Sequence, residues 1–431
     1  MASVSFSLPA SSLFQFPPSS NPPFLSPPAP GTSVGAPPFH IPDHIYNAVL
    51  DPKVPITIAA LYAVSAKALN AYNKSTGKKP WAISKTAGFK AFVIAHNIFL
   101  AVYSAWTFIG MAGVLRRTVV NPLGPAGFAG FVDSVCKING PSGLGNAAYF
   151  DDATNSWQSY SPENVLTSDG MPSSSSVGRL WNEGLAFYGW IFYLSKFYEV
   201  LDTFIILAKG KLSSTLQTYH HAGAMMCMWA GIRYMSSPIW MFCFYNSGIH
   251  AMMYTYYTIT AFNIRVPIFF KRSLTTMQIM QFLIGGSYAM AHSFVSYTIP
   301  IALTSTQSAA AEASAAAGAN GSTAAVIESI KGAFSYKTVP CIDNKSATFA
   351  VWLNVFYLTP LTYLFVSFFI ESYLRRSNAD KKGAANKASS NNMAMAEKAG
   401  WEAAKSVERE VYGETNEAAK KANGRVLRNR Q

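Results

Sequence analysis

Asn246-Ser-Gly-Ile-His250-Ala-Met-Met-Tyr254-Thr-Tyr-Tyr257 lies inside an apolar stretch that runs from about 238 to 263. That length suits a helix crossing a bilayer. Within it, Asn246, His250, Tyr254 and Tyr257 recur at i, i+4, i+8 and i+11, which is one helical face. Polar side chains are costly in hydrocarbon and turn toward a protein interior or a polar cavity. Tyrosines alone would read as packing or interfacial residues. With Asn and His on the same stripe, they read as a cavity wall in a membrane bundle.

A second stretch, at about 217–234, opens on Gln217-Thr-Tyr-His220-His221. Three of the seven histidines fall in these two motifs. Gln217 stands one helical turn from His220 and His221, and adjacent histidines point about 100° apart. One imidazole can then face a substrate while the other meets a partner. Hydrogen-bonded core histidines and a metal site remain open as alternatives. The metal reading lacks the repeated histidine clusters that a membrane di-iron enzyme needs.

Working outward, Lys196-Phe-Tyr-Glu199-Val-Leu-Asp202-Thr203 places Lys196, Glu199 and Thr203 on one face with Asp202 beside it. An intrahelical ion pair is one reading. The aromatic and apolar setting favours a buried network that orients histidines. Thr275-x-x-Gln278-x-x-Gln281 opens a further span and fits interhelical hydrogen bonding or substrate contact equally. His292 reads as structural, and His96–Asn97 is a weaker signal.

The 431 residues are 50% hydrophobic and 13% charged, which indicates a polytopic helical membrane protein. Seven apolar spans are expected near 54–72, 91–115, 181–208, 217–234, 238–263, 276–302 and 348–371. The formal charge of +13 comes from basic residues flanking the spans, which argues against nucleic acid. Lys74, Lys78, Lys79, Lys85, Lys90, Lys209, Lys211, Lys271, Arg272, Arg375, Arg376, Lys381 and Lys382 all fall on one side. That side is read as cytosolic, with the C-terminus there and the N-terminus luminal. Arg116–Arg117 runs against the trend.

Residues 1–43 form a Pro/Ser-rich tail, poorly ordered or packed locally through its aromatics. Pro17, Pro18, Pro22 and Pro23 argue against a cleaved signal peptide. The domain expected at 44–376 carries luminal insertions at about 118–180 and 303–347. A basic tail, 377–431, follows in the cytosol. Cys227 and Cys243 read as buried thiols. Cys136 and Cys341 both fall in the lumen, so a disulfide between them is expected.

The four ordered motifs resemble the ELO family of endoplasmic-reticulum fatty-acid elongases, over about residues 50–376. Lys79-Pro80-Trp81 and Asn97 add to the likeness. The resemblance implies an all-α integral membrane fold, with seven transmembrane helices enclosing an acyl tunnel. It implies condensation of long-chain acyl-CoA with malonyl-CoA to a 3-oxoacyl-CoA two carbons longer, with release of CO2 and CoA. No metal or cofactor is implied. The expected partners are the bilayer, a 3-oxoacyl reductase, a dehydratase and an enoyl reductase, with a homodimer left open.

Residue by residue, the likeness assigns His220 as nucleophile, forming an acyl-histidine, with His250 opposite. His221 would be oriented by Asp202 or Glu199, and Asn246 and Gln217 would donate to oxyanions. Lys196, Tyr254, Tyr257, Gln278 and Gln281 would line the substrate site. Lys209, Lys211, Lys271 and Arg272 would meet CoA phosphates. Two departures stand out. Gln217 replaces the commoner His, which leans toward polyunsaturated substrates. The end, Arg428-Asn-Arg430-Gln431, lacks a di-lysine retrieval signal. A seven-helix transporter or receptor and a metal-dependent desaturase or oxidase are the rival classes.

Overall fold

The computed structural model describes residues 3–32, 35–161, 166–302 and 334–370. The expected Arg375, Arg376, Lys381 and Lys382 cluster, the 377–431 tail and most of the 303–347 insertion lie outside these residues.

The bundle is built from α2 (Lys53–Ser75), α3 (Ala87–Thr118), α5 (Ala186–Tyr198), α6 (Val200–Ala208), α7 (Thr215–Arg233), α8 (Ile239–Ala261), α9 (Ile268–His292) and α10 (Lys345–Phe369). Short α1 (Asp43–Val49) and α4 (Gly127–Cys136) lie outside it. Side-chain caps start three of the long helices. Thr86 Oγ1 accepts from the Phe89 N–H, Ser214 Oγ from Gln217, and Asn344 Oδ1 from Ala347.

Among the described residues, three helices are long and apolar enough to cross a membrane by length and composition: Lys53–Ser75, Ala87–Thr118 and Lys345–Ser367. In α7 and α8, the polar site residues dilute the hydropathy. Exposed Leu61, Val64, Val102, Ile109, Leu283 and Phe356 give the bundle an apolar outer surface of the kind that meets lipid.

The span expected at 181–208 is broken rather than continuous. A π-helical turn, Trp181–Leu185, leads into α5, and α6 follows separately. Gly184 sits there at φ 133°, and a Cβ would stand 2.8 Å from Val114 Cγ2. Arg117 explains its own exception to the charge trend. Its Nε and Nη2 each lie 2.8 Å from Glu183, on a carboxylate oxygen and the carbonyl respectively.

The all-α expectation needs a correction. A three-stranded antiparallel sheet orders β1 (Val4–Phe6), β4 (Val295–Ala302) and β5 (Phe334–Pro340) as β1-β4-β5. Tyr297 pairs with both Val4 and Val339. A hairpin joins β2 (Ala148–Asp151) to β3 (Ser156–Ser159). The expected sixth span therefore stops at His292, and its last residues become a strand. The β-branched run Val295 to Ile301 favours that outcome once β1 and β5 satisfy both of its edges.

The sheet, the hairpin and α4 cap one end of the bundle, where Cys136 and Cys341 are joined in a disulfide. Residues 14–25 are tied to the helices at this end of the bundle. Phe14 meets Trp352, Phe16 meets Phe349, Arg233 Nη1 donates to Pro22 O, and Trp181 Nε1 donates to Leu25 O. Beneath them, Trp181, Phe187, Trp190, Tyr193 and Trp229 form the buried core.

Candidate active site

Two cavities meet inside the bundle, and His220, Gln281 and Phe282 line both. One, of about 190 Å³, is apolar and runs past Met228, Met241 and Phe242 toward the cap. The other, of about 90 Å³, is the more polar of the two. Its lining brings together Asp202, Gln217, His220, His221, His250, Tyr254, Tyr257, Gln278 and Gln281. Four separate helices supply these residues, which explains why the motifs must occur together. Lys196 and Asn246 line the apolar cavity near the same junction.

The Lys196-to-Thr203 segment anchors the polar side. Lys196 Nζ donates to Glu199 Oε1 at 2.7 Å and to Asn246 Oδ1 at 3.0 Å. Its ammonium also lies 4.2 Å from the Phe192 ring centroid. Glu199 Oε1 accepts from Ser195 Oγ and lies 3.5 Å from His250 Nδ1. Asn246 Nδ2 passes the chain on to Gln281 Oε1 at 3.3 Å. Gln278 Nε2 reaches the Met253 sulfur. Glu199 Oε2 and Gln217 Oε1 are buried with no hydrogen-bond partner among the described residues.

Asp202 requires a correction. Its Oδ1 lies 2.8 Å from His96 Nε2, and its Oδ2 accepts from Tyr254 at 2.6 Å. Among the described residues, neither Asp202 nor Glu199 is hydrogen-bonded to His221. That imidazole instead stands edge-on to Tyr62, whose hydroxyl is 2.8 Å from Thr203 Oγ1. His96, the weaker signal in the sequence, is thus the partner of the buried carboxylate. A buried Asp must find a donor, and a histidine in another apolar span was the clue.

His220 is held by a residue outside every motif. Tyr357 of α10 donates its single proton to the His220 carbonyl oxygen at 2.9 Å. His220 Nδ1 lies 3.1 Å from the same hydroxyl. When that proton rests on the carbonyl, an Nδ1–H donates to the Tyr357 oxygen, and in that tautomer the lone pair is on Nε2. Gly223 permits this approach, since a Cβ there would fall 2.2 Å from the Tyr357 ring.

Of the cations expected to meet CoA, Lys209 and Lys211 are half-buried after α6, and Arg272 is exposed on α9. Lys271 lies over the Tyr256 ring. All four stand outside the lining of either cavity. Lys79-Pro80-Trp81 is a buttress for the nearby α6–α7 connection. Trp81 donates from its indole to Asn73 Oδ1 and from its backbone to Ala208 O. Asn73 is fully buried and donates to Leu207 O and Lys211 O.

The ELO: GNS1/SUR4 family profile matches residues 47–381. The chain belongs to that family. It is 33% identical over 105 residues to "Very long chain fatty acid elongase 3" of Homo sapiens, covering 24% of this chain and 39% of that protein. It is 32% identical over 123 residues to "Putative fatty acid elongase 2" of Schizosaccharomyces pombe, covering 28% and 33%. It is 26% identical over 207 residues to "Long chain fatty acid elongase 1" of Caenorhabditis elegans, covering 48% and 57%. The matches thus span about a third to under three-fifths of these relatives' lengths. No solved structure matches the chain.

Proposed function

We propose that the chain is a condensing enzyme of fatty-acid elongation, a very-long-chain 3-oxoacyl-CoA synthase of the endoplasmic-reticulum membrane. The observation that carries this reading is the placement of His220 in the lining of both cavities, with its carbonyl oxygen and Nδ1 both within hydrogen-bond distance of the Tyr357 hydroxyl. Seven crossings, formed by α2, α3, α5–α6, α7, α8, α9 and α10, put the capped end in the lumen and the C-terminus in the cytosol. Acyl-CoA lays its chain in the apolar cavity and its thioester at His220.

In the first step, the Nε2 lone pair attacks the thioester carbon. The N–C bond forms and the C–S bond breaks. The leaving sulfur takes a proton from His250, which is then reprotonated from solvent. Amide N–H groups of Gln217 and Asn246 stabilise the transient oxyanion. Malonyl-CoA then loses CO2, and its enolate carbon attacks the acyl carbon. The C–C bond forms, the N–C bond breaks and neutral His220 returns. One proton is taken up per turn, and it leaves on CoA. The 3-oxoacyl product passes to a reductase, a dehydratase and an enoyl reductase.

The test is incubation of purified protein with acyl-CoA alone, then with labelled malonyl-CoA. Acyl-CoA alone should release CoA and add an acyl mass to a peptide from 212–232. His220→Ala should lose the adduct and reduce condensation on the order of 10⁴-fold or more, as removal of a covalent nucleophile does. Robust condensation by His220→Ala sinks the assignment.

A further inference from the structure

The apolar cavity contains an amide that this chemistry does not use. Asn354 of α10 lines the cavity and is only 4% exposed. Its Oδ1 is buried without a partner, and none of the described residues hydrogen-bonds its amide. Met228, Phe242, Ile284 and Leu358 share the lining and carry no N–H or O–H donor. A buried amide without partners is an expensive feature in a cavity built for hydrocarbon.

Its depth follows from the packing of α7 against α10, which run antiparallel. His220 meets Tyr357, Cys227 meets the Leu353 carbonyl, and Tyr234 meets Phe349. Asn354 precedes Tyr357 by one helical turn on the same face. It therefore stands about 4.5 Å beyond the level of Tyr357, on the side away from the polar cavity.

A chain of methylenes passing that point displaces water from the amide and leaves it unpaired. A chain with a hydroxyl at that depth restores both bonds. The O–H donates to Oδ1, and the hydroxyl oxygen accepts from Nδ2–H. We propose that Asn354 is a specificity-determining residue that favours acyl chains bearing a hydroxyl a few carbons from the thioester. The inference rests on the elongase reading above.

The experiment is a competition between a saturated acyl-CoA and monohydroxy acyl-CoAs of equal length, with the hydroxyl moved one carbon at a time. One position near the thioester should exceed its neighbours in kcat/KM by about tenfold, the scale of one buried hydrogen bond. Asn354→Leu and Asn354→Ala should each erase that peak and gain on the saturated chain, which also reports that the variants are folded. Thermal stabilisation by the same acyl-CoAs reads binding alone and should show the same peak. A flat positional profile in the native protein overturns the proposal. So does a peak that survives both substitutions, or one that follows a cis double bond at the same carbon. Absence of condensation with every acyl-CoA, the saturated one included, would instead overturn the elongase reading, and this proposal with it.

Discussion

Arg179 and Lys196 are both buried cations beside a carboxylate, one in the cap and one at the cavity junction, and their surroundings differ. Arg179 uses all five of its N–H groups, on Pro141 O, Lys137 O, Gly143 O, Asp133 O and Asp133 Oδ2. The other oxygen of Asp133 accepts from Tyr297 of β4. Every valence is filled, and the network locks α4, the loop after it and the sheet together. The Lys196–Glu199 network is incomplete, since Glu199 Oε2 has no hydrogen-bond partner among the described residues. Filled networks fix a fold, whereas an open one keeps hydrogen-bonding capacity for a guest.

The contrast can be broken most forcefully in the cap. Arg179→Ala strands Asp133 without its countercharge and should cost about 3–5 kcal/mol of stability. Chemical unfolding in detergent reads that loss, while the condensation rate per folded molecule should hold. A stability change under about 1 kcal/mol would show that the cap network is replaceable by water.

Asp202→Asn should behave in the opposite way. It keeps the shape beside His96 and Tyr254 and removes one negative charge from the reaction centre. Condensation should fall about a hundredfold, the lower range for groups that govern proton transfer, with unfolding shifted little. A variant that is fully active but poorly folded would place Asp202 with Arg179, in the structural class.

Gln217→His gives the smallest expected effect. Glutamine offers a neutral donor and acceptor where histidine can titrate. Condensation should stay within about threefold, while the relative rates for saturated, monounsaturated and polyunsaturated acyl-CoAs change, as a single altered pocket contact does. Competition among equal concentrations of the three measures it. An unchanged profile removes Gln217 from selectivity, and inactivity equal to His220→Ala places it in the essential chemistry.

Local pattern carried a good deal of this protein. The stripe Asn246, His250, Tyr254, Tyr257 and the box Gln217 to His221 announced a polar cavity, because polar groups at helical spacing in hydrocarbon have nowhere else to face. The apolar spans gave the long helices, because a helix satisfies its own backbone within the segment. From sequence alone the strand Val295–Ala302 reads as the end of a helix, because an apolar run with no partner in view is ambiguous between the two.

What the tertiary structure decided depends on partners far apart in the chain. His96 reaches Asp202 across 106 residues, Tyr357 reaches His220 across 137, and β1 finds β4 near residue 297. No periodicity encodes such pairs. They exist because folding brings buried donors and acceptors together and leaves few unpaired. The sequence by itself determined which residues must be buried, and packing alone determined which of them would meet.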